Sequence, residues 1–80
     1  MSKDLPLKRG LSELYPYKTI SDEEGYNYYV MQHYTGFVLV VREKIDGTEY
    51  LYANGGIDAA VAYANYDSLE YVTIQELLAD

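Results

Sequence analysis

Cysteine is absent from the 80 residues, and with it go disulfides, zinc-thiolate sites, thiol catalysis and redox motifs. A disulfide-stapled secreted scaffold is thereby excluded. Tryptophan is absent too, and prolines number only two. Apolar stretches such as Phe37-Val38-Leu39-Val40-Val41 fall far short of the roughly 20 residues that span a bilayer. Met1 to Gly10 contains no signal-peptide apolar stretch. None of Asn27, Asn54 and Asn65 is followed two places on by Ser or Thr, as a glycosylation acceptor requires. The expected setting is therefore the cytoplasm, away from membrane. Positive charge stops at Lys44: after it there is no basic side chain, although Asp46, Glu49, Asp58, Asp67, Glu70, Glu76 and Asp80 follow.

What is present is acid and tyrosine. The net charge is −7, made of a local +2 over residues 1–20 and −9 over residues 21–80. Such a body repels nucleic acid and anionic lipid and attracts basic surfaces, so direct nucleic-acid binding is not expected. Eleven tyrosines stand beside a single phenylalanine. Each couples a large apolar ring to a hydroxyl that needs a partner when buried, which suits a surface half in a core and half in contact with something else. With 49% hydrophobic and 24% charged residues the chain has the composition of an ordinary folded domain, and 80 residues make one domain at most.

Residues 1–13 show no clear period and read as a loose basic arm, with one helical turn near Leu11 to Leu14; residues 14–80 read as the folded unit. Leu14 to Ile20 alternates as a strand that Pro16 confines to a sheet edge. Ser21 to Gly25 reads as a loop. Tyr26 to Tyr34, Phe37 to Lys44 and Thr48 to Ala53 are further strands, joined by Thr35-Gly36 and by Asp46-Gly47, a dipeptide favoured in type I′ turns. Residues 57–66 are alanine-rich, with Asp58 in the first turn and Ile57, Val61 and Ala64 at helical spacing, and predict a helix. Its small alanine face would let it approach a sheet closely. Leu69 to Val72 reads as a short strand, and Thr73-Ile74-Gln75-Glu76 matches a capping box that opens a final helical turn. The expected fold is α+β: a four- to five-stranded, mainly antiparallel meander with one helix packed on one face and a short C-terminal helical turn.

Two-residue loops at both hairpins would set Val41 opposite Tyr52, Val30 opposite Val41 and Met31 opposite Val40. One sheet face would then collect Tyr28, Val30, Tyr34, Phe37, Leu39, Val41, Tyr50 and Tyr52. The other would collect Tyr29, Met31, His33, Val38, Val40, Leu51 and Ala53. Both faces are apolar, and one helix covers one of them. The second must be sealed by the N-terminal arm, the C-terminal turn, a second copy of the chain or a foreign partner.

Catalytic and ligand patterns are sparse. His33 is the lone histidine, without the companions of a nucleophile-base set, and reads as a strand residue. Asp22-Glu23-Glu24 lacks the spacing of a calcium loop and reads as a solvated turn. Asn54-Gly55-Gly56 precedes a helix but lacks the lysine and later glycines of a phosphate loop, and Asp58 stands where an anion would sit. No enzyme activity, metal or cofactor is expected.

The charge and tyrosines together predict a non-catalytic acidic protein-binding module, an inhibitor that blocks a basic, nucleic-acid-binding site on a partner protein. The expected contact residues are Asp22, Glu23, Glu24, Tyr26 and Tyr29, then Glu49, Tyr50 and Tyr52, then Tyr66, Asp67 and Glu70. Carboxylates spaced about 6.6 Å apart along a strand face would imitate a phosphate backbone. Here the acids fall instead on turns, on the helix start and on the C-terminal segment. In size, charge and lack of catalytic residues the chain is similar to the small phage-encoded inhibitors of host defence, the anti-CRISPR and anti-restriction proteins. That likeness is one of character and assigns no residue a role. The alternative is a small assembly protein that forms a homodimer through Met31, Val38, Val40 and Leu51.

Overall fold

The structure is a computed structural model that describes residues 14–79. The basic arm expected over residues 1–13 lies outside the described residues. Four strands, Leu14–Glu23 (β1), Tyr26–His33 (β2), Val38–Lys44 (β3) and Tyr50–Gly56 (β4), form one open antiparallel meander in sequence order. Helix Ala59–Ala64 (α1), a 3-10 turn at Tyr66–Ser68 and helix Ile74–Leu78 (α2) complete an α+β fold, as the sequence predicts.

The turns differ from expectation, and they decide which side chains share a face. β1 runs past Ile20 to Glu23, through residues read as loop, and Glu23 faces Tyr26 across Glu24 and Gly25. Both of these have positive φ, 54° and 90°, which is the signature of a type I′ hairpin. At Asp46-Gly47, by contrast, only Gly47 has positive φ, at 78°. The Gly47 N–H donates to the Lys44 carbonyl at 2.7 Å and the Lys44 N–H to the Glu49 carbonyl at 2.9 Å, so the loop spans residues 45–48. Asp46 shapes it by accepting from the Thr48 N–H at 3.0 Å and the Thr48 hydroxyl at 2.6 Å. The register survives the change of turn: Val41 faces Tyr52, as expected.

The β2–β3 register does not survive. Tyr34, Thr35 and Gly36 form a three-residue loop closed by Gly36, whose φ is 107°. Val30 therefore faces Val40, and Met31 faces Leu39, one residue away from the expected pairing. In a strand such a slip moves every side chain to the opposite face. Tyr28 and Val30 join Val38 and Val40 beneath α1, with Ala59 and Ala62. Leu39, Val41, Phe37 and Tyr52 face the other way, against Leu77, Ile74 and Val72. The C-terminal segment is thus what packs on the second face. Val30, Val38, Leu39 and Val40 are at most 1% exposed, and each contributes about 1.5–3 kcal/mol by leaving water.

α1 spans Ala59–Ala64 where the sequence predicts 57–66, so it begins two residues later and ends two residues earlier. Asp58 is its N-cap and not part of its first turn, accepting from the Ala60 N–H at 3.0 Å and the Val61 N–H at 3.3 Å. The helix turns Ala59 and Ala62 inward and leaves Val61 55% exposed, while Ile57, ahead of the cap, is 86% exposed. The reason is close approach. A Cβ on Gly55 would stand 2.8 Å from Val38 Cγ1 and 3.1 Å from Ala62 Cβ, so the crossing needs glycine at 55 and a side chain as small as alanine on the helix at 62.

The expected strand at Leu69 to Val72 is reduced to one bridge. Tyr52 and Val72 exchange backbone bonds of 2.7 and 2.8 Å, covering part of the outer edge of β4. Thr73 then caps α2: its hydroxyl accepts from the Glu76 N–H at 3.2 Å, and the Glu76 carboxylate accepts from the Thr73 N–H at 3.3 Å. The opposite edge is β1, interrupted by Pro16 and by register shifts at Pro16/Lys18 and Ile20/Glu23.

Candidate functional site: an acidic, tyrosine-walled concavity

The β1–β2 turn, the middle of β3 and the 3-10 turn meet around a concavity of about 270 Å³ lined by Glu23, Glu24, Tyr26, Tyr28, Arg42, Tyr66 and Asp67. Residues more than forty positions apart in sequence are brought together there. The type I′ turn places Glu23 and Glu24 at the lip. Alternation along β2 puts Tyr26 and Tyr28 on the α1 face, and Arg42 stands opposite Tyr28 on β3. The short α1 and its Asn65 cap then deliver Tyr66 and Asp67.

The walls are rings in edge-to-face contact. The Tyr28 ring lies 4.8 Å from that of Tyr66 and 5.7 Å from that of Tyr71, both at 63°. The Arg42 guanidinium stands 4.5 Å above the Tyr26 ring and 5.0 Å above that of Tyr71, a cation-π arrangement on both. Its Nε is buried without a hydrogen-bond partner, so the rings supply much of what compensates its desolvation. The Tyr71 hydroxyl donates to the Tyr66 carbonyl at 2.6 Å, tying the 3-10 turn to the wall. Burial, then the Glu23 carboxylate nearby, raise the Tyr66 hydroxyl above its ordinary pKa. Burial raises Tyr71 far more strongly. Both hydroxyls are therefore neutral donors at physiological pH.

Of the eleven contact residues expected from sequence, Glu23, Glu24, Tyr26, Tyr66 and Asp67 belong to this site. Asp22 lies in β1 beside it, at the bulge between Ile20 and Glu23. Tyr29 and Tyr50 belong elsewhere. On the α2 face they donate their hydroxyls to the Glu43 carboxylate, Tyr50 at 2.7 Å, and the Asn27 amide adds a third bond at 3.3 Å. These donors, Tyr29 foremost, hold Glu43 below the ordinary carboxylate range; the same carboxylate raises both tyrosines. Glu49 is exposed beside the β3–β4 loop. Tyr52 packs against the Leu39–Leu77 cluster, so it is core more than contact surface. Glu70 borders a second concavity of about 390 Å³ with Asn54, Val72, Glu76 and Leu77.

The sequence reading missed Arg42, Tyr28, Tyr71 and Glu43. A signal for the first was present, because an arginine following Val38-Leu39-Val40-Val41 in a central strand must find rings or carboxylates for its charge. The expected dimer patch is not one surface. Val38 and Val40 are fully buried beneath α1, while Met31, after the register slip, lies on the opposite face beside Leu39. His33 is 1% exposed, its ring stacked 4.8 Å from Phe37 and its Nδ1 2.7 Å from the Thr35 hydroxyl, where it organises the β2–β3 turn. Among the described residues no group of three or more His, Cys, Asp or Glu is placed to hold a metal ion, and no helix is long and apolar enough to cross a membrane.

The fold and the site define a small α+β chain with an open antiparallel sheet and a carboxylate-rimmed aromatic hollow at one end. No protein-family model, curated protein or solved structure matches it.

Proposed function

We propose that the chain is a non-catalytic acidic protein-binding module that covers a basic, nucleic-acid-binding site on a partner protein in the cytoplasm. An inhibitor of the anti-CRISPR or anti-restriction type is the form this reading takes. The observation that carries it is the gathering of Glu23, Glu24 and Asp67 with Tyr26 and Tyr66 around one concavity. Tyrosines anchor interfaces through ring area, and carboxylates at the rim steer a basic partner inward at enhanced rate. A second observation points the same way. Glu24 occupies the left-handed region at φ 54°, where asparagine or glycine would fold more easily. A strained carboxylate at the lip of the site fits selection for charge at that point.

The test begins with the tagged chain as bait in nuclease-treated lysate. A captured nucleic-acid-binding protein is then purified and its nucleic-acid binding measured with and without the chain. The expected result is competition that weakens as salt rises and is lost in a Glu23→Lys, Asp67→Lys variant that melts normally. Competition unaffected by the double variant, or a partner that binds nucleic acid equally well with the chain bound, refutes the proposal.

A further inference from the structure

We infer that the concavity takes the arginine side chain of a basic protein segment, the planar guanidinium lying against tyrosine while its N–H groups meet Glu23 and Asp67. This rests on the reading above and names the group that the site recognises. Three features of the hollow converge on it. The first is size: at about 270 Å³ it is smaller than the roughly 300–1,000 Å³ of ordinary small-molecule sites, and it suits one side chain. The second is charge, since three carboxylates on the lining face the single cation Arg42 and leave an excess of negative charge. The third is independent of the acids. The chain's own Arg42 guanidinium stands over Tyr26 and Tyr71 at 4.5 and 5.0 Å, so this wall already holds one guanidinium on aromatic faces.

Arginine is favoured over lysine on chemical grounds. Its weakly hydrated plane stacks on rings and presents donors in a fork that matches a carboxylate, whereas an ammonium is strongly hydrated and binds as a point charge. Tyr66 fits the part of the stacking partner. It is half-buried, braced edge-on by Tyr28 at 4.8 Å, and its backbone carbonyl is held by the Tyr71 hydroxyl. Arg42 acts as the positioning residue that keeps Tyr26 and Tyr71 in place.

The test uses three blocked tripeptides, Gly-Arg-Gly, Gly-Lys-Gly and the same peptide with citrulline, titrated into isotopically labelled full chain and followed by NMR. Citrulline keeps the shape of arginine and removes its charge. The expected outcome is saturable shifts confined to Tyr26, Tyr28, Tyr66 and Asp67 with the arginine peptide, weaker binding with lysine and none with citrulline. In a Glu23→Gln, Asp67→Asn variant with an unchanged melting point, the arginine peptide should bind about 5-fold more weakly, the scale of two exposed ion pairs. Equal binding of arginine and lysine overturns the guanidinium assignment. Shifts elsewhere, no shifts, or equal binding by the double variant overturns the site. If a basic partner is captured and blocked while the arginine peptide fails, this inference falls and the functional reading stands; the reverse pattern sinks the functional reading alone.

Discussion

Replacing Glu24 by asparagine should stabilise the fold and weaken the site in one step. Glu24 and Gly25 form the two-residue turn between β1 and β2, with φ of 54° and 90°. A side chain other than Gly pays about 1–2 kcal/mol in the left-handed region, and asparagine pays the least because its short amide bonds locally. Recovering half of that cost gives about 0.5–1 kcal/mol, a rise of roughly 2–8 °C in melting temperature for a domain of this size. Removing one charge from a body of net −7 also stabilises, and a Glu24→Gln variant isolates that effect, since it loses the charge and keeps an unfavourable side chain. Thermal and urea melts of the wild type and both variants decide the matter. The Asn variant should exceed the Gln variant, while Gly25→Ala, where a Cβ meets open space and only the backbone objects, should lose about 1–2 kcal/mol. Equal melting of the Asn and Gln variants would refute the reasoning.

Gly55→Ala should cost about 1–3 kcal/mol in urea, because its Cβ would lie 2.8 Å from Val38 Cγ1 under α1; a neutral result would mean that the helix does not sit that close. Glu43 is held below its ordinary 4.5 by Tyr29, Tyr50 and Asn27, so its contribution is complete above that value and is lost as pH falls through the lower folded value. Glu43→Gln should therefore flatten the acid limb of melting temperature against pH below 4.5, and parallel curves for wild type and variant would contradict the clamp. Thr73→Ala removes the α2 cap and should cost about 0.5–2 kcal/mol, with faster amide exchange at Glu76 and Leu77 if the capping box is as described.

The legible part of this fold was the strand pattern, because β-branched and aromatic residues at period two reveal a strand whatever turn precedes it. Turn geometry was harder to read. Asp46-Gly47 carries the favoured dipeptide and makes a longer loop, whereas Glu24-Gly25, with an unfavoured first residue, makes the type I′ turn. Loop length at Tyr34-Thr35-Gly36 then set the face of all β2 side chains. The sequence held a hint, since glycine closing a three-residue loop at positive φ is a recurrent hairpin form. About half of the expected contact residues share the concavity. Charge and residue type were visible from the start, but which tyrosines meet which acids depends on register. That is why Tyr29, one residue from Tyr28, serves the opposite face and holds Glu43.

The two borders of the sheet bear on how much of this protein a cell could hold. Open antiparallel sheets are prone to add strands from neighbouring copies, a route to fibrous precipitate. On one side Val72 already occupies the backbone groups of Tyr52. On the other, Pro16 and the shifts at Pro16/Lys18 and Ile20/Glu23 break the regular ladder that an incoming strand would need, and Lys18 adds charge. Mutual repulsion between molecules of net charge −7 works in the same direction. Under the function proposed above, one copy of the chain would be consumed per target, and it would have to accumulate to the abundance of what it blocks without precipitating first. An interrupted border and a strongly negative body meet that requirement together.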